Sequence, residues 1–568
     1  KRVLHGLTGA IKPNELVALM GPSGAGKSSL LDILASHEKS GTVKGNVEYH
    51  WGSYRVNARS VDTGSTSHTG VAGVSYVYQD DRLLPTETVR DTLLFSARIR
   101  LPRHLSEYTL AARVNRVIDA LELRHIADSR VGSPDAGGGI SGGERKRLAI
   151  GVELLSQPRV MLLDEPTTGL DSHSVNVVMK VLRDTAAAGC ACIVSIHQPT
   201  SSTFRSFDKV VLLTKGGRLA YCGPPMAAAS HLVASLGLPA PRIRASTGGS
   251  TIVHFLPAVD ADGNLVEETK AAEEFESEDD EDDSLMVNPA EMLLDHASTQ
   301  TEEDADNLAL AFRGSDVAHS LTAHIGAVQS SCSVLAPEGL NTPKQGTSTW
   351  LDAVNMFSLL CQRGYRQMVR SPALLLTQIG LTIVVAVCLG YLFYDLPYDL
   401  NGVHNRTGVL FFNIVYFSLA AMSSLGVLIL DKHTFFRERA RGYYSTAPYF
   451  LSKVVVDLLP LRLLPPVIYG AITYFMMGLN PGPTNFVTFL IGMCLMNAVS
   501  ASACYVISAF SNTLGKANLW ASMFFVFNVL FGGLLLTGRT TVVSILMHAS
   551  IFNYGFRLLM VNEFQVMK

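Results

Sequence analysis

Two short stretches of this chain carry residues whose types and spacing suit phosphate chemistry. The first, "LVALMGPSGAGKSSLLDILAS", is an apolar run, a glycine-rich turn and then a helical pattern. It sets Gly21, Pro22, Ser23, Gly24, Ala25, Gly26, Lys27, Ser28 and Ser29 in the spacing GxxxxGK[ST]. Glycines in such a turn let backbone N–H groups approach an anion closely, and the helix N-terminus that follows adds partial positive charge. Lys27 is expected to reach the β- and γ-phosphates of a nucleotide, and Ser28 to ligate Mg²⁺. The second stretch, "PRVMLLDEPTTGLDS", reads as an apolar strand ending in Asp164 and Glu165. Asp164 is expected to hold the metal, and Glu165 to polarise a water attacking the γ-phosphate. Two adjacent acids at the mouth of a buried strand are costly without a cation. The glycine-rich motif by itself says NTPase or nucleotide kinase.

Further elements narrow this. Gln79 in "YVYQDD", Ser141, Gly142, Gly143 and Glu144 opening a helix in "GGGISGGERKRLAIGVELL", Asp171 in "GLDS" and His197 in "VSIHQP" follow the glycine-rich turn in a fixed order. Together these elements resemble the nucleotide-binding domain of an ABC ATPase. The resemblance implies an α/β P-loop fold and two such domains sandwiching two ATP molecules. Each ATP would touch the P-loop of one domain and the signature turn of the other. It further implies that Gln79 senses Mg²⁺ and the γ-phosphate beside Ser28 and Asp164, that Glu165 is the catalytic base, and that His197 contacts the γ-phosphate. Ser141, Gly142, Gly143 and Glu144, with Asp171, would serve the partner's ATP. The family's adenine-stacking position lies ahead of Lys1.

These residues need a larger frame. A chain of 568 residues exceeds one compact domain, and a net charge of −3 carries no strongly basic footprint of nucleic-acid binding. Charge is concentrated in 1–345, whereas 373–536 is mostly apolar, and the mean hydropathy is +0.24. Five apolar runs, 373–394, 407–430, 449–477, 485–510 and 519–537, approach or exceed the length a membrane span needs, about 20 residues. Arg363, Arg366 and Arg370 precede the first run. Lys432, Arg437, Arg439, Arg441 and Lys453 follow the second, and Lys516 precedes the fifth; Arg406 and Arg539 are exceptions. The positive-inside rule then puts the ATPase half in the cytosol. Five spans leave the C-terminus outside, so a sixth helix is expected beyond the chain. The eight cysteines form no CxxC pair and read as reduced structural thiols.

An ATPase half ahead of a membrane half resembles the white-type, or ABCG, half-transporters. The resemblance is carried by "YVYQDDRLLPTETVRDTLLFSARIRLP", "SIHQPTSSTFRSFDKVVLLTKGGRLAYCGP", "NRTGVLFF", "RERARGYYSTAPYFLSKVVVDLLPLRLLP" and "NEF". It implies an ABC ATPase domain over 1–298 and an all-α multi-pass transmembrane domain over 372–568. An acidic insert at about 243–287 would interrupt the ATPase domain, which "NPAEMLLDHAS" would close. A polar linker (299–347) and an amphipathic connecting helix (348–371), its arginines facing lipid headgroups, would follow. The loop from Glu438 to Tyr444 would be a cytosolic coupling element, and 538–568 an external re-entrant region. Val415, Tyr416, Leu419, Asn528 and Val529 would face a central cavity at a dimer axis, under a plug of Leu534 and Leu535. Leu419 stands where the drug-exporting members use a phenylalanine clamp. Asn405 opens a glycosylation sequon close to a span.

The expected function is ATP-driven export of a lipid, sterol or other hydrophobic molecule by an obligate dimer, with itself or another ABCG half-transporter. Its site would be the plasma membrane or an internal one. The alternative is a membrane-anchored ABC ATPase with a regulatory or mechanical role and no cargo.

Overall fold

A computed structural model describes residues 2–36, 42–51, 54–59, 73–79, 83–102, 104–133, 138–228, 231, 242–245, 251–254, 289–298, 302–331, 350–397, 399–440, 442–536 and 541–565. The chain divides into two units, Lys1–Gly346 and Thr347–Lys568.

Short apolar runs bounded by turn residues build the sheet of the first unit. Its strands are β1 (Leu16–Met20), β2 (Val74–Val77), β3 (Val160–Asp164), β4 (Ala191–Ser195), β5 (Lys209–Leu213) and β6 (Leu219–Gly223). They lie in the order β6-β5-β1-β4-β3-β2, all parallel except β6. Strands β1, β3 and β4 are buried along their whole length. Parallel strands covered on both faces carry such unbroken apolar sequence. Around them lie α1 (Lys27–Leu34), α2 (Val89–Arg100), α3 (Glu107–Ala120), α4 (Gly142–Leu154) and α5 (Ser172–Ala187). Thr88, Ser106, Ser141 and Asp171 cap α2 to α5, each side chain accepting a backbone N–H of the first turn. Cys190 and Cys192 are buried free thiols at β4, and among the described residues no group of side chains could hold a metal through His, Cys, Asp or Glu clustering.

The stretch expected as a linker is not one throughout. It contains α7 (Glu302–Arg313) and α8 (Asp316–Ser331), preceded by α6 (Pro289–Ser298). Leu293, Leu294, Leu308 and Phe312 are buried in the same core as the sheet. Phe312 meets Tyr221 of β6 edge-on at 6.0 Å, and Arg218 pairs with Asp306. Isolated apolar residues at helical spacing do this inside a polar composition. The acidic insert lies outside the described residues except for part of the paired strands Arg242–Ala245 and Thr251–His254.

The second unit is helical: α9 (Trp350–Arg370), α10 (Ala373–Leu392), α11 (Leu400–Ala420), α12 (Ser424–Ala440), α13 (Thr446–Lys453), α14 (Leu459–Met476), α15 (Pro483–Phe510), α16 (Leu514–Leu530), α17 (Thr541–Ala549) and α18 (Ile551–Phe564). Among the described residues, four stretches are long and apolar enough to cross a membrane: Leu375–Leu392, Leu400–Ile429, Thr446–Met476 and Pro483–Phe510. The fifth expected run forms α16, at 17 residues a shorter apolar helix. Helices α17 and α18 meet at an 85° bend. A π-helical turn, Val454–Leu458, joins α13 to α14 just ahead of Pro460, and Pro465 and Pro466 lie inside α14.

Two arginines sit differently from expectation. Arg363 does not face headgroups: it is buried against Glu438, with Nη1 3.0 and 3.1 Å from the two carboxylate oxygens, and Tyr444 donates to the same carboxylate. Arg406 is fully buried and ion-paired with Glu563, and it donates to the Leu396 carbonyl at 2.7 Å. Glu563 also accepts the Asn480 N–H at 3.2 Å. The "NRTG" and "NEF" stretches are thus one structural contact.

Candidate nucleotide site and the helical unit

The glycine-rich turn leaves the carboxyl end of β1 and enters α1. Gly24 and Gly26 take left-handed φ values of 78° and 90°, which glycine adopts without steric cost. At Gly21 an added Cβ would lie 2.5 Å from the Leu213 carbonyl oxygen, so β5 itself excludes a side chain there. Ala25 is buried beneath the turn, and Ser23 and Gly24 are exposed above it. Lys27 opens α1, followed by half-buried Ser28 and Ser29. The Lys27 ammonium is buried and folds back onto the Gly21 and Pro22 carbonyls at 2.7 and 3.1 Å. Burial lowers its pKa, while Glu165 and Asp164 oppose that shift.

Asp164 ends β3 opposite Ser195, the last residue of β4. The Ser195 hydroxyl donates to Asp164 Oδ1 at 2.7 Å and accepts the Glu165 N–H at 2.8 Å. Glu165 holds a left-handed φ of 48°, an uncommon conformation for a residue with a side chain, which turns it out of the strand direction. Its Oε2 accepts from Gln79 Nε2 at 3.0 Å and from the Thr168 hydroxyl at 3.2 Å. Gln79 lies two residues beyond β2, and exposed His197 two residues beyond β4. The carboxyl ends of β1, β2, β3 and β4 therefore bring Lys27, Gln79, Asp164, Glu165 and His197 to one edge of the sheet, where ligands of open α/β sheets bind. One lysine among two carboxylates leaves negative charge uncompensated, and this donor set fits a divalent cation.

The signature turn is built separately. Ser141 caps α4 in a capping box, accepting the Glu144 N–H at 3.2 Å while Glu144 accepts the Ser141 N–H at 2.7 Å. Burial pushes the Glu144 carboxyl up, but the Ser141 bonds and His125 together bring it below the usual carboxylate range. Ser141 and Gly142 are exposed, as a surface that meets another molecule requires. Asp171 caps α5 through the Ser174 N–H at 3.2 Å, and hydrogen bonds from Ser174 lower its pKa. A Cβ on Gly143 would stand 3.0 Å from Ser174 Oγ, which sets α4 close against the start of α5. The motif reading assigned no role to Ser195, Thr168 or Lys146. Only the register of neighbouring strands or a contact across the fold brings them in.

In the helical unit the expected cavity residues divide. Leu419 and Leu535 are exposed, and Val415, Tyr416, Val529 and Leu534 are half-buried. Tyr416 stacks on Tyr469 with ring centroids 5.9 Å apart. Asn528 is buried within the helical unit. It is 1 % exposed, its Oδ1 accepts the Ile551 N–H at 2.8 Å, and its amide donates to the Phe524 carbonyl. The start of α18 consumes this side chain because a buried amide must be paired. Asn405 is exposed within α11, one residue before buried Arg406.

Comparison with known proteins agrees with this division. Residues 4–168 match the family described as ABC transporter, and 355–564 match ABC-2 type transporter. The chain is 33% identical over 574 residues to the broad substrate specificity ATP-binding cassette transporter ABCG2 of Sus scrofa, covering 99% of this chain and 80% of that protein. It is 30% identical to ABC transporter G family member 22 of Dictyostelium discoideum, covering 99% and 83%. Among solved structures, the dimeric bacterial ABC transporter cassette MJ0796 matches with 24% identity and a TM-score of 0.33, over 39% of this chain and 90% of that one. The chain couples ATP hydrolysis in its first unit to transport, and it belongs to the ABCG branch of the ABC transporters, with the nucleotide-binding domain ahead of the transmembrane domain.

Proposed function

We propose that this chain is a half-transporter that works as a dimer and exports hydrophobic molecules, each ATP lying between the P-loop turn of one copy and the signature turn of its partner. The observation that carries the proposal is the meeting of Gln79 and Glu165 at 3.0 Å beside buried Lys27. A base already hydrogen-bonded to a sensing side chain can be set by what that side chain touches. Gly142 and Gly143, behind the Ser141 cap, offer backbone N–H groups at a helix start, which suits the phosphates of a nucleotide held by a second copy.

In this reading Glu165 takes a proton from the attacking water, Lys27 leaves the Gly21 and Pro22 carbonyls for the β- and γ-phosphates, and His197 and Gln79 orient the γ-phosphate. Ser28, Gln79 and Asp164 would hold Mg²⁺, which supplies charge neutralisation across the β- and γ-phosphates. Closure of the two ATPase units can drive transport only if ATP binds the closed state more tightly than the open one. The lysines and arginines beside the spans support a cytosolic setting for the ATPase units, with the plasma membrane as the favoured site. Exposed Leu419 and Leu535, with half-buried Val415, Tyr416, Val529 and Leu534, favour an apolar cargo such as a lipid or sterol. The name of the pig relative, a transporter of broad substrate specificity, supports cargo that is chosen loosely.

Reconstitution in liposomes tests this reading. Hydrophobic cargo should stimulate ATP hydrolysis several-fold. Hydrolysis that ignores sterols, phospholipids and amphipathic drugs alike favours the cargo-free ATPase instead.

A further inference from the structure

Lys146 joins the signature helix to the Gln79 turn. It lies in the second turn of α4 with its ammonium group buried. Its Nζ donates to the Gln79 carbonyl at 2.7 Å and to the Tyr78 carbonyl at 3.2 Å. The Gln79 side chain then donates to Glu165 Oε2. Hydrogen bonds therefore run from the helix that carries Ser141, Gly142 and Gly143, through a peptide carbonyl, to the carboxylate expected to activate water. The neighbouring Arg147 ties the same helix to α5, with Nη1 2.6 Å from Ser174 Oγ. Ser174 in turn gives its N–H to Asp171.

This arrangement transmits displacement. A buried ammonium shared between two carbonyls forms charge-assisted bonds, roughly twice as strong as neutral ones. A shift of α4 therefore drags the Gln79 backbone with it rather than stretching the contact. Lysine suits the position because its compact head can point three donors at adjacent carbonyls, which a planar guanidinium does less readily. We propose that Lys146 is a positioning residue that passes the state of the signature turn to Gln79 and Glu165. ATP on the partner's P-loop, engaged by this chain's signature turn, would thereby set the rate of hydrolysis at this chain's own P-loop. The inference rests on the composite sites of the proposed function.

The test is steady-state ATPase activity of the full chain in lipid, for the wild type, K146M, K146R, Q79A and Q79A/K146M, with E165Q and E165Q/K146M compared for ATP retention. K146M should lower kcat at least about tenfold with KM for ATP within about threefold, and K146R should recover part of the loss. If Lys146 acts through Gln79, K146M should cost less than about twofold more on the Q79A background. Wild-type kcat in K146M, or a full second loss in Q79A/K146M, overturns the proposal. ATP retention by E165Q/K146M equal to that of E165Q shows that the variant is folded, and K146Q replaces K146M if it is not. No recovery of hydrolysis in a hybrid of Lys27→Ala and Ser141→Arg copies would overturn the composite-site reading instead, which keeps the two failures apart.

Discussion

At the residue scale, the chemistry concentrates in side chains whose positions the backbone leaves little room to vary. Glu165 is held in a left-handed conformation with its N–H on Ser195 and its carboxylate on Gln79 and Thr168. Glu165→Gln keeps the shape and removes the proposed base. Turnover should fall by about a hundredfold or more while ATP binding is retained, the range expected for loss of a general base. Gly21→Ala should act differently. Its Cβ would lie 2.5 Å from a backbone oxygen of β5, so the turn itself must move. Nucleotide affinity should drop and thermal unfolding shift downward, with strain of about 1–3 kcal/mol; unchanged affinity would show that the turn yields cheaply. Most of this site was legible in the sequence because its residues sit in short motifs with fixed spacing. Ser195 was not, since it enters by facing Asp164 across two parallel strands.

At the scale of elements, polar and charged contacts hold the helical unit together. Tyr469 donates to Asn413, Ser500 to Ser418, and Arg462 to Ser423 and Ser424, each between different stretches of the apolar sequence. The Arg406–Glu563 pair fixes the end of α18 to the start of α11, while Asn528 fixes its beginning to α16. Removing one partner of a buried ion pair strands the other charge. Arg406→Leu should therefore cost about 3–5 kcal/mol, and adding Glu563→Leu should recover much of that loss. Thermal unfolding of both variants in detergent checks this, and equal destabilisation by the single and double variants would count against it. The sequence marked Arg406 only as an exception to a charge rule, because its partner lies 157 residues away. Helices α7 and α8 escaped for the opposite reason. Their composition is polar, and a few well-spaced residues such as Leu308 and Phe312 carry their packing.

At the scale of the whole molecule, the proposed composite sites call for a partner. The exposed signature turn and the P-loop turn can be tested apart by mixing copies. Lys27→Ala and Ser141→Arg should each silence a homodimer. A hybrid of the two retains one complete composite site and should recover measurable hydrolysis. No recovery in purified hybrids would place both halves of the site on one chain. Order along the chain and the apolar runs made the ATPase-first, membrane-second organisation legible. The cavity was less so: helical periodicity gives a face but not what that face meets, and Asn528 turned out to serve α18.

The most direct measurement is cargo movement and ATP hydrolysis recorded together in liposomes holding the purified protein, with wild type beside E165Q. The expected result is ATP-dependent movement of a hydrophobic substrate that also stimulates hydrolysis, with both abolished in E165Q. Steady hydrolysis by the wild type with no substrate moved and no stimulation by sterols, phospholipids or amphipathic drugs would contradict it.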